Sequence, residues 1–203
     1  STLALAYGEA HPERCLGFIL RGIFLCRKKE IDWFLYGLQI FFPEAWRKFV
    51  APLNPEERKD ILAAYYQRLQ NPDPEIHMPA ARTWSIYEGS CSTLLPNPET
   101  VNYFAGDTVA LGLARMEAHY FTHDIFLPEN SLLDNAYKLH GIPATIVQGR
   151  YDAVCPIISA DDLHHAWPQA EYIIIDDAGH SVWEPGILAA LLRATEKFKT
   201  ILR

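Results

Sequence analysis

Residues 144–180 read "ATIVQGRYDAVCPIISADDLHHAWPQAEYIIIDDAGH", and the fold is decided here. Two apolar runs, 144–149 and 171–176, are each closed by a turn rich in glycine or small residues, and 157–166 between them reads as a helix. Short apolar runs without polar alternation mark strands buried on both faces, and strands alternating with helices form a parallel sheet. Each run also delivers a polar residue just past its end: Asp152 in "GRYD" and His180 in "DDAGH". An acid and a histidine at the carboxyl ends of successive strands are two members of a nucleophile, histidine and acid triad. Taken singly, each has a plainer reading, His180 as a capping or packed turn histidine and Asp152 as a turn acid. Asp176 and Asp177 are rival acids. They rank below Asp152 because they share the loop of His180, whereas a supporting carboxylate normally approaches from a neighbouring strand end.

Outward from this stretch, Gly141-Ile142-Pro143 marks the break before the first run, and 186–202 reads as a closing amphipathic helix. Near the start, "TLALAYGEA" (2–10) carries apolar residues at helical spacing, and "HPER" then breaks to the apolar run "CLGFILRGIF" (15–24), a further strand. From about 27 to 138 the texture is aromatic, proline-punctuated and helical: "EIDWFLYGLQIFFPEAWRKFV", "NPEERKDILAAYYQRLQ", "MPAARTWSIYEGSCSTLL" and "DTVALGLARMEAHYFTH". In the second of these Asn54 is the expected N-cap, with Pro55 at the first helical position and Glu57 at the third. The expected organisation is an α/β core in two parts, 1–26 and 139–203, interrupted by an all-helical insertion over 27–138.

Composition bounds the function. With 203 residues, 49% hydrophobic and 21% charged, the chain has material for one core, or for part of a core and a subdomain. A net charge of −7, with no basic block beyond "RKK" at 27–29, argues against nucleic acid as a partner. No stretch reaches ~18 uninterrupted apolar residues, so no membrane span is expected. No basic-then-apolar signal segment opens the chain, which makes the cytoplasm the expected compartment. Cys15, Cys26, Cys91 and Cys155 lack CxxC or metal-ligand spacing and read as reduced, packed thiols.

Together, "STLALAYGEAHPERCLGFILRGIF" (1–24), "WSIYEG" (84–89), "ARMEAHYF" (114–121), "GRYDAVCP" (149–156) and "DDAGHSVWEP" (176–185) resemble the prolyl iminopeptidases of the α/β-hydrolase superfamily, nearly end to end. The resemblance implies an α/β-hydrolase fold, present in part, with the helical insertion as its cap. The triad of that superfamily runs Ser, Asp, His along the chain. In the prolyl iminopeptidases the nucleophile elbow reads Gly-Gly-Ser-Trp-Gly and is followed by a segment similar to "STLALAY". In that register Ser1 lies three places after the nucleophile. The serine, the oxyanion-hole loop and the first strands are therefore expected to lie outside this chain, which by itself is expected to be inactive.

The chemistry accounts for the residue types. A serine hydroxyl becomes a useful nucleophile only when a neutral imidazole takes its proton, and a carboxylate must hold that imidazole in the right tautomer. His180 and Asp152 fit those roles. The resemblance further implies that Glu88 and Glu117 bind the free amine of the substrate, since a buried cation needs carboxylates to offset its lost hydration. The alternative for both is an exposed helix glutamate. Arg21 and Phe24 match a pocket segment of the family, where the aromatic ring would face the pyrrolidine, and a plain strand-end reading stays open for them. Phe34 stands where family members often carry a tyrosine, which puts substrate detail in doubt. Trp33, Phe34, Trp46, Trp84 and Tyr120 receive no assignment, because aromatic stripes on helices are usually core.

The leading function is release of an N-terminal proline from a peptide or small amide through an acyl-enzyme, with neither metal nor cofactor. Another capped α/β-hydrolase, such as an esterase, epoxide hydrolase or dehalogenase, would share Asp152 and His180 but has no use for the two glutamates. A non-catalytic binding protein on the hydrolase scaffold is the reading from another class.

Overall fold

The apolar runs fold as three parallel strands in the order β1-β2-β3: β1 (Phe18–Arg21), β2 (Ala144–Gly149) and β3 (Glu171–Ile175). In this computed structural model, residues 1–201 are described, with side chains through residue 200. The helices are α1 (Thr2–Ala10), α2 (Lys28–Asp32), α3 (Pro43–Val50), α4 (Ile61–Gln70), α5 (Pro74–Cys91), α6 (Pro98–Ala105) and α7 (Asp107–Thr122). They continue with α8 (Ser131–Asp134), α9 (Ile157–Ala166) and α10 (Pro185–Ile201). Residue 202 of the expected closing helix lies outside the described residues.

The chain divides into two compact units, Ser1–Leu25 with Glu129–Arg203, and Cys26–Pro128. The second boundary thus comes ten residues before the expected one at 138/139. The physical reason is burial: Leu132, Ala136 and Leu139 pack into the first unit, where α8 and the turn after it meet α1 and α9.

In the sheet unit every residue of the central strand β2 is buried, as its continuous apolar run requires. Val147, Ala178, Ile187 and Ala190 form a core between β2 and α10, with Ile173, Ile175 and Leu191 packed on it. Full burial of a side chain such as Val147 contributes roughly 1.5–3 kcal/mol. Strand β1 is shorter than the apolar run 15–24. Pairing stops at Arg21 because Gly22 turns into the left-handed region, at φ +54°.

The helical unit is built on aromatic side chains. Phe49 stacks on Tyr65 and Tyr87 at centroid distances of 4.8 and 4.3 Å, and Phe34 lies within 5.6 Å of both Trp84 and Tyr87. The phenols stay satisfied: Tyr65 donates to the Phe49 carbonyl and Tyr87 to the Phe34 carbonyl. Burial pushes both phenols well above their ordinary range. Phe34 and Trp84 are therefore core residues here.

One expected helix is broken in two. Asn54 does form a reciprocal box with Glu57, its Oδ1 accepting from the Glu56 and Glu57 N–H groups while Glu57 Oε2 accepts from the Asn54 N–H. The box caps only a short 3₁₀ turn, Glu57–Lys59. Asp60 then leaves helical geometry and accepts from the Ala63 N–H, so it is Asp60 that caps α4.

Candidate active site

The three strands end on one edge, and the loops beyond β2 and β3 are stitched together by main chain. The Arg150 N–H donates to the Ile175 carbonyl at 2.8 Å and the Tyr151 N–H to the Ala178 carbonyl at 3.0 Å. Gly149 makes this approach possible. A Cβ there would lie 2.1 Å from the Gly179 carbonyl oxygen and 2.7 Å from that of Ala178.

Asp152 and His180 meet across this seam, with Asp152 Oδ2 2.9 Å from His180 Nδ1. The carboxylate is 1% exposed and the imidazole 14%, so the pair is shielded while one side of the ring stays open. Asp152 is held on both oxygens. Oδ1 accepts from the Cys155 N–H at 2.8 Å, a local turn closed just ahead of Pro156 and α9, and Oδ2 accepts also from Gln148 Nε2 at 3.1 Å. The rival acids lie apart from the ring: Asp176 is an exposed partner of Arg150, and Asp177 is also exposed. Cys155 contributes its backbone N–H, and its side chain is buried packing.

Arg21, at the end of β1, is half-buried and donates from Nη1 to the carbonyl of His180, bracing the histidine loop. Phe24 is half-buried, and its N–H donates to the Ser1 hydroxyl at 2.9 Å. Between them Gly22 leaves room for the imidazole, since a Cβ would fall 2.9 Å from His180 Cε1. Among the described residues no serine hydroxyl hydrogen-bonds the imidazole of His180.

Glu88 and Glu117 belong to the helical unit. Glu88 on α5 is 7% exposed, which sets aside the exposed-helix alternative for that residue. Glu117 on α7 is half-buried and accepts from the Trp84 indole N–H at 2.8 Å. Trp84 and Glu88 are four residues apart on α5 and share one face, so the indole ties Glu117 to the helix face that carries Glu88. The negative charge is felt locally: burial, then the Glu88 and Glu44 carboxylates, push the Cys91 thiol well above its ordinary range.

Sequence reasoning missed Gly22 and Gln148. A readable signal existed for the second, a lone amide inside the otherwise apolar "ATIVQG". Among the described residues no cluster of three or more His, Cys, Asp or Glu could hold a metal ion, none of the four cysteines is in a disulfide, and no helix is long and apolar enough to cross a membrane.

The family described as alpha/beta hydrolase fold matches residues 1–186. A probable proline iminopeptidase of Leptolyngbya boryana is 50% identical over 200 residues, covering 98% of this chain and 62% of that protein. A proline iminopeptidase of Arabidopsis thaliana is 49% identical over 205 residues, 100% of this chain and 54% of that protein. One from Xylella fastidiosa is 42% identical over 200 residues, 98% of this chain and 64% of that protein. The chain thus spans between 54% and 64% of the length of these three relatives.

Proposed function

Because this chain belongs to the α/β-hydrolase fold family, we propose that it supplies the histidine and the supporting acid of a serine-type hydrolase that removes proline from the N-termini of peptides. The observation that carries the reading is the 2.9 Å contact between Asp152 Oδ2 and His180 Nδ1. A carboxylate on Nδ1 keeps the proton there and leaves Nε2 as the basic nitrogen. In the proposed reaction Nε2 takes the proton of a serine hydroxyl as that oxygen attacks the prolyl carbonyl, and Asp152 stabilises the resulting imidazolium. The imidazolium then passes its proton to the departing amine. Water, activated by the same imidazole, hydrolyses the acyl-enzyme.

The proline iminopeptidase relatives support the substrate class. Glu88 and Glu117 are proposed to bind the substrate's ammonium, and Phe24 to meet its pyrrolidine ring. For Arg21 the proposed role is support of the His180 loop, in keeping with its bond to that carbonyl. The nucleophile is left unassigned within residues 1–203, and these residues alone are proposed to be inactive. The test is hydrolysis of a prolyl amide by the protein that carries this chain, with and without His180→Ala. A loss on the order of 10⁶-fold is expected. Unchanged turnover would overturn the reading, and turnover by residues 1–203 alone, abolished by His180→Ala, would show that a serine within them acts.

A further inference from the structure

We propose that Gln148 is a positioning residue for the acid and histidine pair: its side-chain amide fixes which lone pairs of Asp152 face His180 and locks the Asp152 turn to the segment that follows β1. The inference rests on the hydrolase reading above. Gln148 is fully buried at the end of the central strand. Its Nε2 donates to Asp152 Oδ2 at 3.1 Å and to the Cys155 carbonyl at 2.9 Å, and its Oε1 accepts from the Ile23 N–H at 3.1 Å. The amide can sit only one way round, because the oxygen meets a donor and the nitrogen meets two acceptors.

Two loops, the one after β1 and the one after β2, therefore converge on one side chain. Ile23 follows Gly22, whose missing Cβ leaves space for His180, and Cys155 is the residue whose N–H holds the other oxygen of Asp152. With Cys155 N–H on Oδ1 and Gln148 Nε2 on Oδ2, the carboxylate cannot rotate without breaking a buried hydrogen bond, and Oδ2 stays turned toward Nδ1 of His180. An apolar residue of the same length would pack in the strand equally well. The amide is needed for what it bonds, and its own contacts are with Asp152, Cys155 and Ile23 rather than with the imidazole.

Two variants test this, read by nitrogen NMR of His180 and by steady-state kinetics. Gln148→Met keeps length and burial but removes all three bonds. The expected result is growth of the Nε2–H tautomer of neutral His180, with kcat down by roughly ten- to a hundredfold and KM within about twofold. Gln148→Glu keeps the shape and the acceptor for Ile23, but its second oxygen must carry a proton to face Asp152 and Cys155. Its activity relative to the parent should fall as pH rises and that proton is lost, with no matching change in the fraction folded. The proposal is overturned if folded Gln148→Met keeps the parent tautomer ratio and kcat, or if both variants lose activity only in proportion to lost folded protein. If Gln148→Met does not fold, a flat pH ratio for Gln148→Glu overturns it equally. Failure of the underlying hydrolase reading looks different: His180→Ala would then leave turnover intact, while the tautomer measurement would still report on Gln148.

Discussion

Asp152 in the sheet unit accepts from a backbone N–H and an imidazole in two loops and from a glutamine amide at the end of β2. Glu117 in the helical unit accepts from the indole of Trp84, a side chain standing on a neighbouring helix and itself packed among Phe34, Phe49, Tyr65 and Phe121. The first carboxylate is aimed by donors gathered at the ends of strands. The second is carried by aromatic packing. A carboxylate aimed in several directions at once is suited to hold one proton on one nitrogen, a task that does not depend on the substrate. A carboxylate seated on a helix among rings is suited to offer charge, a task that matters only for a ligand bearing the opposite charge.

Substitutions can break that contrast. The largest effect is expected from Asp152→Asn, which keeps the shape but favours the wrong imidazole tautomer, with a fall in kcat of about 10⁴-fold. The fall should be the same for free and N-acylated prolyl substrates. Next, Glu88→Gln or Glu117→Gln removes one charge from the proposed ammonium site, with an expected loss of about 3 kcal/mol or on the order of a hundredfold in kcat/KM. Here the loss should vanish on N-acylated substrates. Equal losses on both substrate types would mean that these glutamates support the helical fold, and the contrast would collapse.

A smaller effect sharpens the sheet side. Gly22→Ala forces a side chain into left-handed backbone at φ +54° and against the imidazole, so we expect about 1–2 kcal/mol of lost stability. Because the strain falls on the His180 ring, kcat should drop by about tenfold as well. A melting curve and an activity assay on the same sample check both.

The smallest concerns Glu9 of α1, whose buried Oε1 has no hydrogen-bond partner. Burial raises its carboxyl to about 7, with the Lys138 ammonium pulling the other way. In the unfolded chain the same group titrates near ~4.3. The folded state therefore holds the proton longer, and the stability it lends is full below about pH 4 and is lost as pH rises through about 7. Glu9→Gln should match the parent near pH 4 and exceed it at pH 8, by about 1 kcal/mol once solvent screening is allowed for. Parallel stability curves across that range would remove Glu9 as the source.

How much of this was legible in the sequence follows the same division. β2 was readable because a strand buried on both faces is mostly apolar, and His180 and Asp152 because small-residue turns followed two such runs. The end of β1 was not, since the apolar run continues through 24 while one left-handed glycine stops the ladder at 21. The Asn54 box was read correctly as chemistry and too generously as a helix start. Local hydrogen bonding satisfied it within a single turn, and Asp60 offered a second cap six residues on. The burial of Glu88 could not be read from α5 alone, because burial depends on what the rest of the chain packs against that face. Pro79 lies inside α5 without breaking it, losing one rung of the ladder near the start.

The approach of Gly149 to the carbonyls of Ala178 and Gly179 has an evolutionary consequence. Since the two loops are registered by peptide groups, the exposed side chains at 151 and 183 are not needed to bring Asp152 and His180 together. Tyr151 and Trp183 stand exposed beside the pair. Such positions can drift or be selected for new contacts at little risk to the contact between Asp152 and His180, whereas any residue other than glycine at 149 would push the loops apart. Diversification within a lineage of such chains should therefore gather at the rim and leave this single hydrogen-bearing carbon untouched.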